Sequence, residues 1–154
     1  MSQNYNFKVR LGVVLLHENK LLLVRQNNRP FWVFPGGTLE LNEGLEECAV
    51  REMKEEIDLD VAIEKTLYLA DFLLADAAGA IKHTIDVFML ARYLGGTPTM
   101  TLDENLNEMG FFTLEEVQKM PVEPHVAVTQ LLKDWPEGFA HASGLYLGKY
   151  GNGV

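Results

Sequence analysis

The stretch Gly37–Leu59, GTLELNEGLEECAVREMKEEIDL, decides how this chain is read. Its second half is rich in helix formers, and at roughly 100° per residue Glu52, Glu55 and Glu56 fall on one helical face. Leu45, Cys48, Ala49, Met53 and Ile57 make the apolar stripe of the same helix, and the three glutamates overlap one border of it. A solvated helix holds its charges opposite such a stripe, which is the competing reading of any Glu-rich helix. Like charges at these spacings repel by about 0.2–0.5 kcal/mol per pair, and a carboxylate at a core border needs a partner. Lys54, on the far side, does not supply it. A hard divalent cation does, and oxygen-only ligands suit Mg2+, with Mn2+ as the alternative, rather than zinc.

The spacing also resembles a family signature. Gly37, five residues, Glu43, seven residues, Arg51-Glu52-Met53, one residue and Glu55-Glu56 is similar to the signature of the Nudix hydrolases, which continues with any residue, a glycine and an aliphatic. This chain ends the run Ile57-Asp58-Leu59, so Asp58 stands where the family has glycine. That glycine follows the helix, where a left-handed residue is favoured, and Asp is among the few others that tolerate the conformation. The expected cost is about 1 kcal/mol or less, with the chemistry intact.

The resemblance implies an α/β fold, a Nudix-type α/β/α sandwich around a mixed β-sheet. It implies hydrolysis of a phosphoanhydride in a nucleoside diphosphate linked to another group, a class that includes nucleoside triphosphates, ADP-ribose, sugar nucleotides and dinucleoside polyphosphates. Glu52, Glu55 and Glu56 would then hold Mg2+, a carbonyl of Gly36 or Gly37 would join the metal shell, and Glu52 or Glu108 would be the general base. Arg51 would pair with Glu43 to hold loop against helix. From the projection itself, Arg51 points roughly 100° away from Glu52 and is expected not to share the glutamates' site. The alternative is a Nudix-like module that binds or senses a nucleotide metabolite without cleaving it. Such modules usually lose signature carboxylates or add a DNA-binding domain, and this chain keeps the former.

Upstream of the signature, residues 7–26 read as a hairpin: a strand over residues 7–16, mixed and then continuously apolar as it enters a covered sheet, a turn at His17-Glu18-Asn19-Lys20 and a returning strand Leu21 to Gln26. Phe31-Trp32-Val33-Phe34 reads as a short strand that Pro35-Gly36-Gly37 breaks, the glycines allowing backbone to approach a ligand. Arg25 and Arg29 lie between hairpin and glycine pair, either as solvated charges or as phosphate contacts. A nucleobase needs an apolar or aromatic wall, for which Phe7, Phe31, Trp32 and Phe111 are within reach. Asn42 is a candidate cap for the helix.

Downstream, Val61–Ala75 and Ile81–Leu94 read as strands joined by the turn Ala77-Ala78-Gly79-Ala80, with His83 a solvated residue or a ligand. An acidic patch, Asp103 to Glu108, precedes Phe111-Phe112. By resemblance Glu108, with Glu104 second, is the position for an additional metal ligand or base, against the plain reading of a solvated acidic loop. A short helix from Thr113 stops near Pro121, and Pro124 to Trp135 reads as a helix covering the sheet. The Gly-rich tail beyond Pro136 gives no reading.

The length of 154 residues with 47% hydrophobic composition is that of one domain spanning residues 1–154, with ample material for a core. A net charge of −9 opposes a general nucleic-acid surface, and it leaves a polyanionic substrate to be met by metal and a few local cations. The single cysteine, Cys48, lies on the apolar stripe as a buried thiol, with no disulfide framework and a reducing cytoplasm as the expected setting. No 18-residue apolar run crosses a membrane and MSQNYNFKVR lacks a signal-peptide core. The expected partner is a nucleotide-type small molecule, without nucleic acid or membrane, and a homodimer is the assembly left open.

Overall fold

The computed structural model describes residues 6–99 and 106–154. In chain order the elements are β1 (Phe7–His17), β2 (Lys20–Gln26), β3 (Trp32–Val33), β4 (Gly36–Thr38), α1 (Leu45–Ile57), β5 (Asp60–Ala75), β6 (Ile81–Gly95), β7 (Leu106–Phe112), α2 (Leu114–Lys119), β8 (Val122–Glu123), α3 (His125–Asp134) and β9 (Leu145–Tyr150). Among the described residues they make one mixed sheet along the path β8-β3-β2-β1-β6-β5-β9, with β4 paired to β1 and β7 to β2. β1 runs parallel to β6, β3 to β8 and β5 to β9.

β1 is continuously apolar from Leu11 to Leu16 because helices cover both faces there. Leu11, Val13 and Leu15 meet Cys48, Ala49, Met53 and Ile57 of α1 on one side. On the other, Val14, Leu21, Leu23 and Phe88 meet Val117 of α2, Ala127 and Leu131 of α3, and Trp135. Each fully buried aliphatic side chain contributes about 1.5–3 kcal/mol, so α1 is seated by its apolar stripe and its carboxylates follow from where that stripe lies. Leu45, expected in the stripe, is instead exposed at the first turn.

The expected hairpin forms around Glu18 and Asn19, both at positive φ (52° and 58°), the twist that suits a two-residue connection. Its strands stay paired only at Leu16–Leu21 and His17–Lys20. β2 then turns to β7 and β3, while β1 takes up β4 across Arg10–Gly12. The Pro-Gly-Gly segment is therefore not merely a break after the aromatic strand: Gly36 and Gly37 form a paired strand of their own. Both ends of α1 depend on backbone geometry. Asn42, expected as a cap, takes positive φ (67°) too early in the loop. Gly44 precedes the first turn, and its N–H donates to Glu47 Oε1 at 3.2 Å. At the other end Asp58 adopts φ 60°, ψ 38°, the left-handed conformation expected there. The Leu59 N–H reaches the Met53 carbonyl at 3.3 Å, closing the helix in the manner a glycine usually serves.

Candidate active site

Arg51 is the hub around which the acidic face of α1 is ordered. Its Nε and Nη2 donate to both oxygens of Glu43, at 2.9 and 2.7 Å. Glu43 Oε1 also accepts the Glu40 N–H at 2.9 Å. The loop–helix pair expected of these two residues is thus present as a fork, the geometry that suits guanidinium and carboxylate. Arg51 beside it holds the Glu43 carboxyl down to about 2. Cys48, buried beneath the pair, has its thiol pushed up to about 12 by burial, as an inert core residue does.

One expectation is corrected. Arg51 does share the glutamates' site: its Nη1 donates to Glu52 Oε1 and Glu55 Oε2, both at 3.0 Å. The projection gives the direction of a Cα–Cβ bond, whereas the long arginine stem lets the head group swing back across the helix face. Among the described residues no three His, Cys, Asp or Glu side chains already converge as a metal cage. The guanidinium occupies the space between Glu52 and Glu55 and offsets their repulsion.

The glycine strand lies directly against these carboxylates. A Cβ added at Gly37 would stand 2.3 Å from the Glu52 carboxyl carbon and 2.4 and 2.6 Å from its oxygens. At Gly36, with φ 152°, it would be 1.8 Å from the Leu11 carbonyl oxygen. The Gly36 N–H donates to Glu56 Oε2 at 3.2 Å. Glu52 is 14% exposed, and burial pushes its carboxyl above the ordinary range while Arg51 opposes the shift. Hard oxygen donors packed against the two glycines of β4 fit a divalent cation by their chemistry.

On the opposite face of β1 lies a cavity of about 530 Å³, walled by Phe31, Phe34, Phe72 and Tyr150 and carrying Arg10, Arg29 and Asp86. Gly12 connects the two regions: it lines the cavity and is the register partner of Gly36, whose amide binds Glu56. Arg29 borders this cavity, its guanidinium 5.6 Å from the Phe31 ring centre. Arg25 is placed elsewhere, over the Trp32 ring at 5.7 Å and hydrogen-bonded to Glu108, its cross-strand partner on β7. Glu108 is thus brought to Arg25 rather than to α1, on the face of β7 opposite Met109 and Phe111 of the α1 layer. Trp32 packs edge-on to Phe112 at 5.0 Å. Phe7 is exposed, edge-on to His83, and His83 contacts Asp71 at 2.6 Å. Glu104 lies outside the described residues. Arg10, Asp86 and Tyr150 had no sequence signal pointing to a site, because strand register alone gathers them.

The chain matches the NUDIX domain over residues 6–132 and belongs to the Nudix family. It is an enzyme of that family, a pyrophosphohydrolase. The ADP-ribose pyrophosphatase of Methanocaldococcus jannaschii is 27% identical over 133 residues, covering 84% of this chain and 75% of the relative. The 8-oxo-dGTP diphosphatase of Proteus vulgaris is 34% identical over 65 residues, 40% of this chain and 58% of the relative. A solved NUDIX hydrolase from Nitrosomonas europaea superposes with a TM-score of 0.74 at 22% identity, covering 99% of this chain and 82% of that one, and shares its fold.

Proposed function

We propose that the chain hydrolyses a phosphoanhydride bond in a nucleoside diphosphate linked to a further group, using Mg2+ held by Glu52, Glu55 and Glu56. The observation that carries this is the glycine strand pressed onto partly buried glutamates that Glu43 and Arg51 hold in place. When bound, the cation neutralises the diphosphate and lowers the pKa of water for attack at phosphorus. Water adds to one phosphorus, the bridging P–O bond breaks, and a nucleoside monophosphate and a phosphorylated second product leave with release of a proton.

In this reading the protein's own groups divide the work. Glu52 and Glu56 of α1 pack against β4, with backbone carbonyls of Gly36 or Gly37 as further oxygen donors. Glu43 orients Arg51, and Arg51 keeps Glu52 and Glu55 from splaying apart. The cavity takes the nucleoside, since its volume of about 530 Å³ falls within the range of small-ligand sites and its walls are aromatic. Arg29 at its rim faces an anionic part of the substrate. Glu108, tied to Arg25, is left out of the metal set. The likeness to an ADP-ribose pyrophosphatase over most of the chain supports placing ADP-ribose in the first rank of candidates, beside nucleoside triphosphates and sugar nucleotides.

The test is a panel of these compounds with Mg2+ or with chelator, following nucleoside monophosphate release. At least one should be hydrolysed with Mg2+ and spared with chelator. Binding of every compound without turnover would favour a sensing module instead.

A further inference from the structure

The cavity is completed by a strand outside the region that matches the family. That match ends at residue 132, whereas β9 (Leu145–Tyr150) comes later and lies parallel to β5. Tyr150 is the register partner of Phe72, and their rings stack with centres 4.9 Å apart and planes 31° from parallel. From there the Tyr150 hydroxyl reaches across β5 and donates to Oδ2 of Asp86 on β6. The residue of β5 beside Asp86 is Ala70, between the larger Tyr68 and Phe72 on that face, which leaves the path open. The strand is latched just beyond: Asn152 accepts the Ala75 N–H at 2.8 Å and donates to the Ala75 carbonyl at 3.2 Å, and the Gly153 N–H donates to the Leu73 carbonyl at 2.9 Å.

Asp86 is 7% exposed, one of few buried charged side chains among the described residues, and it lines the cavity. A carboxylate with two oxygens accepts several hydrogen bonds, and Tyr150 supplies one while the charges of Arg10 and Lys8 stand nearby, leaving acceptor capacity toward the cavity. Its neighbour on β1 is Arg10, also lining the cavity. An acceptor and a donor thus stand side by side on an aromatic-walled floor. Nucleobases carry the complementary pair, an N–H next to a ring nitrogen or carbonyl, on a flat ring that fits between aromatic side chains.

We propose that Asp86, held by Tyr150 from the C-terminal strand, recognises the substrate's nucleobase through a base N–H, with Tyr150 as the residue that positions it. The inference rests on the cavity being the nucleoside site of the proposed hydrolase, but it is tested without turnover.

Adenosine, guanosine, uridine and cytidine monophosphates are titrated by calorimetry into metal-free protein, with ribose 5-phosphate as the base-less control. The parent should bind at least one nucleotide about tenfold or more tighter than ribose 5-phosphate. Tyr150→Phe, which keeps the ring stack and deletes only the hydroxyl, should lose most of that preference, and Asp86→Asn should lose it too. Melting curves check that both variants fold, and affinity for ribose 5-phosphate should stay unchanged. A parent without preference for any base, or a Tyr150→Phe variant that retains it, overturns the proposal. Glu56→Gln separates the two readings: it should abolish hydrolysis and keep the base preference. Base preference in a parent that hydrolyses nothing would sink the hydrolase reading alone.

Discussion

Gly37→Ala examines the contact between strand and helix at a single atom. Gly37 lies outside the left-handed region, so alanine suits its backbone. The new Cβ would sit 2.3 Å from the Glu52 carboxyl carbon, against an ordinary contact of 3.4 Å or more. Something must move by roughly 1 Å, and what moves is the end of a flexible side chain rather than backbone. Stability should fall by about 1 kcal/mol, the lower end of overpacking costs, which is a melting shift of roughly 2–4 °C for a chain this size. The rate should fall about 10²-fold, because a displacement near 1 Å in a positioned group costs that much. Mg2+-dependent kinetics on the best substrate, with thermal melts, read both. Gly95→Ala is the control: nothing lies within 4 Å of its added Cβ. A Gly37→Ala enzyme with parental kcat/KM would refute the idea that Glu52 must keep its place against β4.

Four further substitutions probe other parts. Arg51→Ala should lower activity by about tenfold or more by releasing the Glu43 loop and the glutamates it gathers; cation affinity, read by calorimetry, should fall less than in Glu56→Gln, and equal losses would contradict the division between support and ligation. Arg29→Ala should raise KM about tenfold, equivalent to about 1.4 kcal/mol, whereas Arg25→Ala, whose guanidinium is engaged by Glu108 and Trp32, should leave KM closer to the parent; the opposite order in steady-state kinetics would place substrate recognition at Arg25. Asp58→Gly should stabilise the fold by about 0.5–1 kcal/mol, since glycine adopts the left-handed conformation without the cost an aspartate bears, and urea unfolding showing a loss instead would mean that the Lys54–Asp58 contact at 3.0 Å outweighs it.

What was legible in the sequence was local or periodic. The apolar stripe of α1, the turn at Glu18-Asn19, the left-handed Asp58 and the Glu43–Arg51 pair all follow from spacing along one element or from the family resemblance. What was not legible depends on register between distant strands. β4 is three residues long, and only its pairing with Arg10–Gly12 makes it a strand. Tyr150 and Asp86 are 64 positions apart and meet because β9 docks on β5. The Gly-rich tail had no apolar alternation to announce that strand. Arg51 misled in another way, because a helical projection fixes Cβ directions and a four-bond side chain is free to turn back over Glu52 and Glu55. Glu108 was read by its distance from an aromatic pair, whereas its cross-strand neighbour Arg25 determines what it touches.

The central claim is that the carboxylates of α1 hold the cation that drives hydrolysis, and Glu56→Gln at saturating Mg2+ tests it most directly. Glutamine keeps the shape and can still accept the Gly36 N–H, so the fold should melt within a few degrees of the parent while the rate of nucleoside monophosphate release drops by at least about 10²-fold, one hard ligand charge having been removed. A correctly folded Glu56→Gln enzyme that turns over at the parental rate would contradict it.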